Sequence, residues 1–236
     1  MIGLGTAINI GLIIAGSLCG LAFGRFMKEN LKQTLMMVSG IIVLLLGMSG
    51  AMQYMLVIVN GTLQTTGPML MIISMVAGAV IGELIDLNRW ITVFGDWVKA
   101  KTGNTGDPQF THAFITASLT FTVGAMGVLG SIQDGLTGNY QTLLLKGILD
   151  GIIVMVSSMG KGALFSFIPV GITQWIITAM AHIAAPLMTP SAIDNLSYVG
   201  SILIFCVGID LIWPGKIRIA NLLPAIFVAM GLTFLL

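Results

Sequence analysis

Residues 35–59 read LMMVSGIIVLLLGMSGAMQYMLVIV, 25 residues without a single Asp, Glu, Lys, Arg or His. As a helix this stretch would extend about 37 Å, more than the ~30 Å hydrocarbon thickness of a bilayer. The rest of the chain repeats the theme. Its 236 residues are 56% hydrophobic and 8% charged, with a mean hydropathy of +1.02, where a soluble chain carries about a quarter charged residues. No soluble fold could cover such a surface, whereas lipid tails solvate Leu, Ile, Val, Met and Phe without cost. A net charge of +1 offers no basic field for nucleic acid. The partner implied at this level is the lipid bilayer.

At roughly 20 residues per crossing, the sequence predicts spans near 4–25, 35–59, 68–88, 110–131, 142–160, 168–188, 196–213 and 218–236. The expected fold class is all-α, a polytopic transmembrane helix bundle of about eight spans in one domain, 1–236. Thr66-Gly67-Pro68 opens the third span, Asp107-Pro108 precedes the fourth, Pro186 and Pro190 close the sixth, and Trp213-Pro214-Gly215 makes the last tight turn. Span five is open to a break or a re-entrant turn at Gly160, Gly162 and Pro169. The first span has neither a basic leader nor an Ala-x-Ala site, and is expected to be a retained helix rather than a signal peptide.

Basic residues set the orientation, because cytoplasmic loops hold Lys and Arg. Arg25, Lys28 and Lys32 follow span one, Arg89, Lys99 and Lys101 follow span three, Lys161 follows span five, and Lys216 and Arg218 follow span seven. The loops around 60–67, 132–141 and 189–195 contain none. Both termini are therefore expected outside. Residues 89–109 interleave Trp90, Phe94 and Trp97 with charges at helical spacing, which predicts a cytoplasmic interfacial helix, with partner docking as the rival reading. Three spans before that linker give span four the opposite direction to span one. Gln33-Thr34-Leu35 recurs as Gln141-Thr142-Leu143, and Ile85-Asp86 as Ile193-Asp194. A three-plus-three inverted repeat, 1–88 and 110–188, with an added hairpin over 196–236, is the expectation from this topology.

Small residues recur at every fourth position: Gly16, Gly20 and Gly24, Gly78 and Gly82, and Gly147 and Gly151. They are expected to let helix backbones approach, within a subunit or in a homo-oligomer. Cys19 and Cys206 fall inside apolar spans without metal-ligand spacing and read as small hydrophobes. The 16 methionines form no repeated array. No metal and no cofactor are expected.

Polar residues inside spans carry the functional signal. Lys146 and Asp150 are four apart, on one helical face. Asp150 lies about 12 Å below the start of its span. A charge at the bilayer centre costs about 2.5–3.5 kcal/mol on insertion scales, so it needs a partner or a water-filled cavity. The bland alternative has Lys146 snorkelling outward while Asp150 bonds a neighbouring helix. Asp210, about 9 Å from the end of span seven, is the second such carboxylate, with a headgroup contact as its alternative. Glu83 and Asp86 are shallower, and Arg89 on the same helix is placed to neutralise one of them. His112 and His182 each stand without a second metal ligand.

Residues 124–139, GAMGVLGSIQDGLTGN, are glycine-rich enough to predict that span four unwinds before the surface. Broken helices of this kind build transporter sites, with Asp134 and freed carbonyls available to a cation and the start of span five to an anion. A plain extracellular turn is the alternative. Asn9 and Gln133 join Asp134, Lys146, Asp150 and Asp210 as candidate lining of a substrate or ion pathway.

The run Thr116-Ala117-Ser118-Leu119, Val123-Gly124-Ala125-Met126, Gly130-Ser131-Ile132-Gln133-Asp134-Gly135-Leu136-Thr137-Gly138 and Lys146 with Leu149-Asp150-Gly151 resembles the hallmark of a small bacterial inner-membrane family of unknown function, that of YqgA and YdfK. Length, the opening Gly5-Thr6-Ala7-Ile8-Asn9 and the span layout agree with it over nearly the whole chain. One departure is Asn139, where the family pattern has an acidic residue. The resemblance implies a bacterial inner-membrane location and a fold, and no substrate.

The chain lacks His-Glu-x-x-His, Gly-x-Ser-x-Gly and Gly-x-Gly-Asp signatures and a nucleotide-binding loop. An intramembrane enzyme is the poorest expectation. A transporter of a small solute or ion, ion-coupled or not, is the favoured one. An ion channel and a structural or regulatory membrane protein are its alternatives.

Overall fold

The computed structural model describes residues 1–23, 26, 28–87, 89, 93, 114, 117–118, 121–122, 125–157, 160–187, 189–213 and 215–233. Gly24, His112, the interfacial segment apart from residues 89 and 93, and much of the first half of span four lie outside them. Helices dominate: α1 (Leu4–Phe23), α2 (Glu29–Met55), α3 (Pro68–Ile85), α4 (Ala125–Thr137), α5 (Gln141–Ser157), the short α6 (Gly160–Leu164), α7 (Phe167–Ala184), α8 (Pro190–Ile212), α9 (Ile219–Leu222) and α10 (Pro224–Leu232). Five apolar stretches are long enough to cross a bilayer: Leu4–Phe23, Glu29–Met55, Pro68–Ile85, Lys161–Ala184 and Pro190–Ile212. Their number, length and composition are those of a multi-pass membrane protein.

Local chemistry sets the boundaries, and in three places it corrects the sequence expectation. Span two does not run helically to residue 59. Leu56–Val59 and Thr62–Thr65 pair as an antiparallel hairpin, β1 and β2, with Val59 opposite Thr62. Between them Asn60 and Gly61 both take left-handed dihedrals, φ 52° and 77°, the pair a type I′ turn demands, and the β-branched Val57, Ile58 and Val59 favour the strand. Pro190 opens a helix rather than closing one. It occupies the first turn of α8, where its missing N–H is not needed, while the Thr189 side chain accepts the Ala192 amide at 3.2 Å. The glycine-rich segment does not unwind either, because α4 is helical from Ala125 to Thr137. Its glycines are there for neighbours: a methyl at Gly130 would lie 2.9 Å from Leu143, and one at Gly135 would strike the α7 backbone at Thr178.

The helices group into two compact units. The first comprises Met1–Val38 and Arg89–Ala185, the second Ser39–Asn88 and Pro186–Leu236. In the first, α1 lies along α5 and touches α6 and α7, while α4 packs on α5 and α7. Gly16 faces Gly151 so closely that a side chain on either would meet backbone, and a methyl at Gly20 would lie 3.0 Å from Met155 Cα. Gly147 abuts Asn9. An apolar layer of Ile13, Ala117, Phe121, Val154, Ala163 and Val170 fills one level of this unit.

In the second unit α3 packs on α8, α9 and α10, with Gly78 against Ala225 and Gly82 against Asn221. The end of α2 crosses α8 at Gly47 against Phe205 and Gly208 against Leu44. Its core joins Leu70, Tyr198, Val199, Ala225 and Ala229. Glu83 pairs with Arg218 at 3.1 Å within this unit, both side chains being exposed. Cys19 is exposed and Cys206 half-buried, both as free thiols.

Several helices are turned inside out relative to soluble ones. Along α3 the exposed side chains are Met69, Ile72, Val76, Val80 and Leu84, while Ser74, Gly78 and Gly82 are buried. Lipid asks for this arrangement: apolar outward, small and polar inward.

Candidate functional site

The same inversion is sharper on α7. Ile172, Ile176, Met180 and Ile183 are exposed, and Gln174 and Thr178, one turn apart, point inward at 3% exposure each. Its facing helices answer in kind. Burial on α1 falls on Thr6 and Asn9 before reaching Ile13. On α4 it takes in Ser131 and Asp134, and on α5 Thr142, Lys146 and Asp150. These residues make up a polar stretch of the first unit's interior, its polar level, several helical turns long, and an apolar cluster of that unit contains Ile13, Phe121, Val154 and Val170.

At the deep end Lys146 donates to the Asp150 carboxylate in a buried ion pair within one helical turn. The Lys146 ammonium also stands 5.9 Å from the centroid of the Phe121 ring, within the range of a cation–π contact. Lys146 therefore does not snorkel away from Asp150, since both side chains turn into the unit. Gly127 on α4 makes room beside them, for a methyl there would lie 3.1 Å from Lys146 Cε and 3.6 Å from Gln174 Nε2. Lys146 and Gln174 thus both pack beside Gly127. Asn9 adjoins Gly147, whose added methyl would lie 3.2 Å from Asn9 Oδ1.

Nearer the helix ends the polar groups are tied to backbone. Asp134 Oδ2 accepts the amides of Gly3 and Gly5 at 3.1 and 3.2 Å, so a carboxylate from α4 sits at the positive end of α1. Gln133 Oε1 accepts the Thr142 hydroxyl at 2.6 Å. Asn139 Oδ1 accepts the Gln141 amide at 3.1 Å and starts α5. Asp210 belongs to the second unit, where its carboxylate accepts the Gly215 amide at 2.8 Å in the turn after α8.

Hydrogen bonding separates the deep level from these ties. Both amide atoms of Asn9 and of Gln174 and the hydroxyls of Thr6, Ser131 and Thr178 are buried with no partner among the described residues, as are Asp134 Oδ1 at the helix end and, elsewhere in the chain, the hydroxyls of Ser17, Ser74, Ser118 and Thr122. A buried polar group left unmade costs about 1–3 kcal/mol, and folded proteins pair the great majority of such groups with protein or water. So many in one level point to a space that water or a solute shares. Sequence reasoning named Asn9, Gln133, Asp134, Lys146 and Asp150 but passed over Thr6, Ser131, Gln174 and Thr178. The signal was there in Gln174 and Thr178, polar residues four apart in an otherwise apolar span. Among the described residues, no cluster of His, Cys, Asp and Glu is arranged to hold a metal ion.

The comparisons with known proteins place the chain among uncharacterised relatives, one of them named a membrane protein. The chain is 28% identical over 235 residues to the uncharacterized membrane protein YdfK of Bacillus subtilis (strain 168), covering 98% of this chain and 96% of that one. It is 24% identical over 240 residues to the uncharacterized protein YqgA of Escherichia coli (strain K12), again covering 98% and 96%. No solved structure gives a significant match. The model of the family described as protein of unknown function (DUF554) matches residues 4–234, and the chain belongs to that family.

Proposed function

We propose that the protein is a membrane carrier for a small solute or ion, and that the polar level of its first unit is the binding part of the pathway. One observation carries this reading. Helix α7 directs Gln174 and Thr178 inward and most of its isoleucines outward, where these two side chains, the Asn9 amide and the Thr6 and Ser131 hydroxyls have no partner among the described residues. A helix packed only for stability in lipid gains nothing from that choice, since interhelical polar groups help only when they are paired. The apolar cluster with Ile13, Phe121, Val154 and Val170 supports a carrier over an open channel, because a polar solute crossing this unit would require such packed apolar side chains to part.

On this reading the chain has about eight spans in the bacterial cytoplasmic membrane. Both termini lie outside and the basic loops inside, which places the polar level on the outer side of the apolar layer. The inverted repeat and a homo-oligomer remain part of the proposal. No catalytic residue is assigned.

Uptake into proteoliposomes under imposed proton and sodium gradients, screened over labelled small solutes, tests the function. The wild-type protein should give gradient-dependent uptake that Asp150→Asn uncouples or abolishes while remaining folded. Single-channel conductance indifferent to the gradients would favour a channel. Neither flux nor conductance would favour a structural role.

A further inference from the structure

The Lys146–Asp150 pair deepens this reading, on which it rests, by naming what the site takes. Both residues are buried, at 4% and 5% exposure, and they neutralise each other. Even with some water in the level, an ion entering alone would leave a net charge less well solvated there than in bulk, a cost that a neutral pair of ions avoids. A proton and an anion entering together are such a pair. We propose that the level binds a small monovalent anion together with one proton: Asp150 takes the proton, and the anion replaces the carboxylate as the partner of Lys146, with the Gln174 amide as its second donor.

The charges and atoms balance. At the start the ammonium and carboxylate sum to zero. A proton from water adds to a carboxylate oxygen of Asp150, whose charge is lost, and its ion pair with Lys146 is released. The anion then accepts a hydrogen bond from Lys146 Nζ, and the total is again zero. No electron moves and no covalent bond to carbon, nitrogen or sulfur changes. Geometry supplies the second donor, because Gln174 Nε2 and Lys146 Cε both border Gly127, and Gln174 has no partner among the described residues to give up.

Other titratable groups are badly placed to take the proton's role. Of the elements packed on α5, α1 carries Cys19, which is exposed, and α4 carries Asp134, which is tied to the Gly3 and Gly5 amides near the chain's amino terminus. On α6 and α7, which pack on α1 and α4, Lys161 and His182 are exposed. Within this level Asp150 alone, among the described residues, is an acid paired to a buried base.

The test uses the full chain in nanodiscs, with sodium nitrate, chloride and formate as separate probes. Binding is read calorimetrically between pH 5 and 8, and proton uptake by a dye in weak buffer. One proton should be taken up for each anion bound, and affinity should fall about tenfold per pH unit where Asp150 is ionised. Asp150→Asn leaves Lys146 without its counter-charge, so it should bind anions with no pH dependence and no proton uptake. Gln174→Leu should weaken binding about ten- to a hundredfold. The double change Lys146→Met with Asp150→Asn keeps the pair's charge at zero and should remain folded while losing the anion.

Wild-type protein that binds none of the three probes, binds them without taking up protons, or is matched by the double variant would overturn the proposal. If Ser131→Cys nevertheless reacts with aqueous thiol reagents, the pathway stands and only its ligand assignment falls. Proton-linked anion binding in a protein that shows no flux would uphold the site and remove transport instead.

Discussion

At the scale of single residues, Lys146 and Asp150 decide between a dry salt bridge and a hydrated site. Removing one partner from a dry buried pair costs about 3–5 kcal/mol, because a charge is left in apolar surroundings. In a space shared with water the surviving charge is solvated. Asp150→Asn is therefore expected to lose far less than that figure, as measured by thermal unfolding in nanodiscs. A loss of the full amount would speak for a sealed structural pair. The spacing of four made this pair readable in the sequence. Gln174 was readable only through its spacing of four from Thr178, and what that face meets emerges only once α4 and α5 are in place around it.

At the scale of helices, the glycines divide by what stands opposite them. On α1, Gly11 has open space where a methyl would go, whereas a methyl at Gly16 would run into the Gly151 backbone. Gly11→Ala is expected to be neutral or to stabilise by about 0.5–1 kcal/mol through reduced backbone entropy. Gly16→Ala should destabilise by about 1–3 kcal/mol, since two backbones must separate. Comparing the two melting temperatures checks both. Four-residue spacing picks out Gly16 and Gly151, yet glycine richness read residues 124–139 as broken helix. Glycine content reports low helix propensity, but only tertiary structure shows Leu143 and Thr178 filling the space that the glycines leave. The hairpin was missed for the opposite reason. Asn60-Gly61 between β-branched residues is a strong local turn signal, and it was submerged in the hydropathy of span two.

At the scale of the whole molecule, hydropathy and basic residues made the membrane class and the approximate span positions legible. The division into units was not, because Ser39–Asn88 joins Pro186–Leu236 through contacts distant in sequence. Charge placement predicts sidedness: with Cys19 and Cys206 replaced by alanine, Thr65→Cys should react with an impermeant reagent on intact cells and Lys28→Cys should not. Labelling of both, or of Lys28→Cys alone, would overturn the assigned orientation.

The central claim, that the polar level of the first unit is open to water and solute, is tested most directly by thiol accessibility inside it. Ser131 is fully buried in the polar level and Ala117 fully buried in the apolar layer, and each becomes cysteine with little change in size. In a background lacking Cys19 and Cys206, Ser131→Cys should react with a small charged methanethiosulfonate in folded protein, while Ala117→Cys should stay silent. Equal silence at both positions, in protein that remains folded, would show a dry interior and contradict the account.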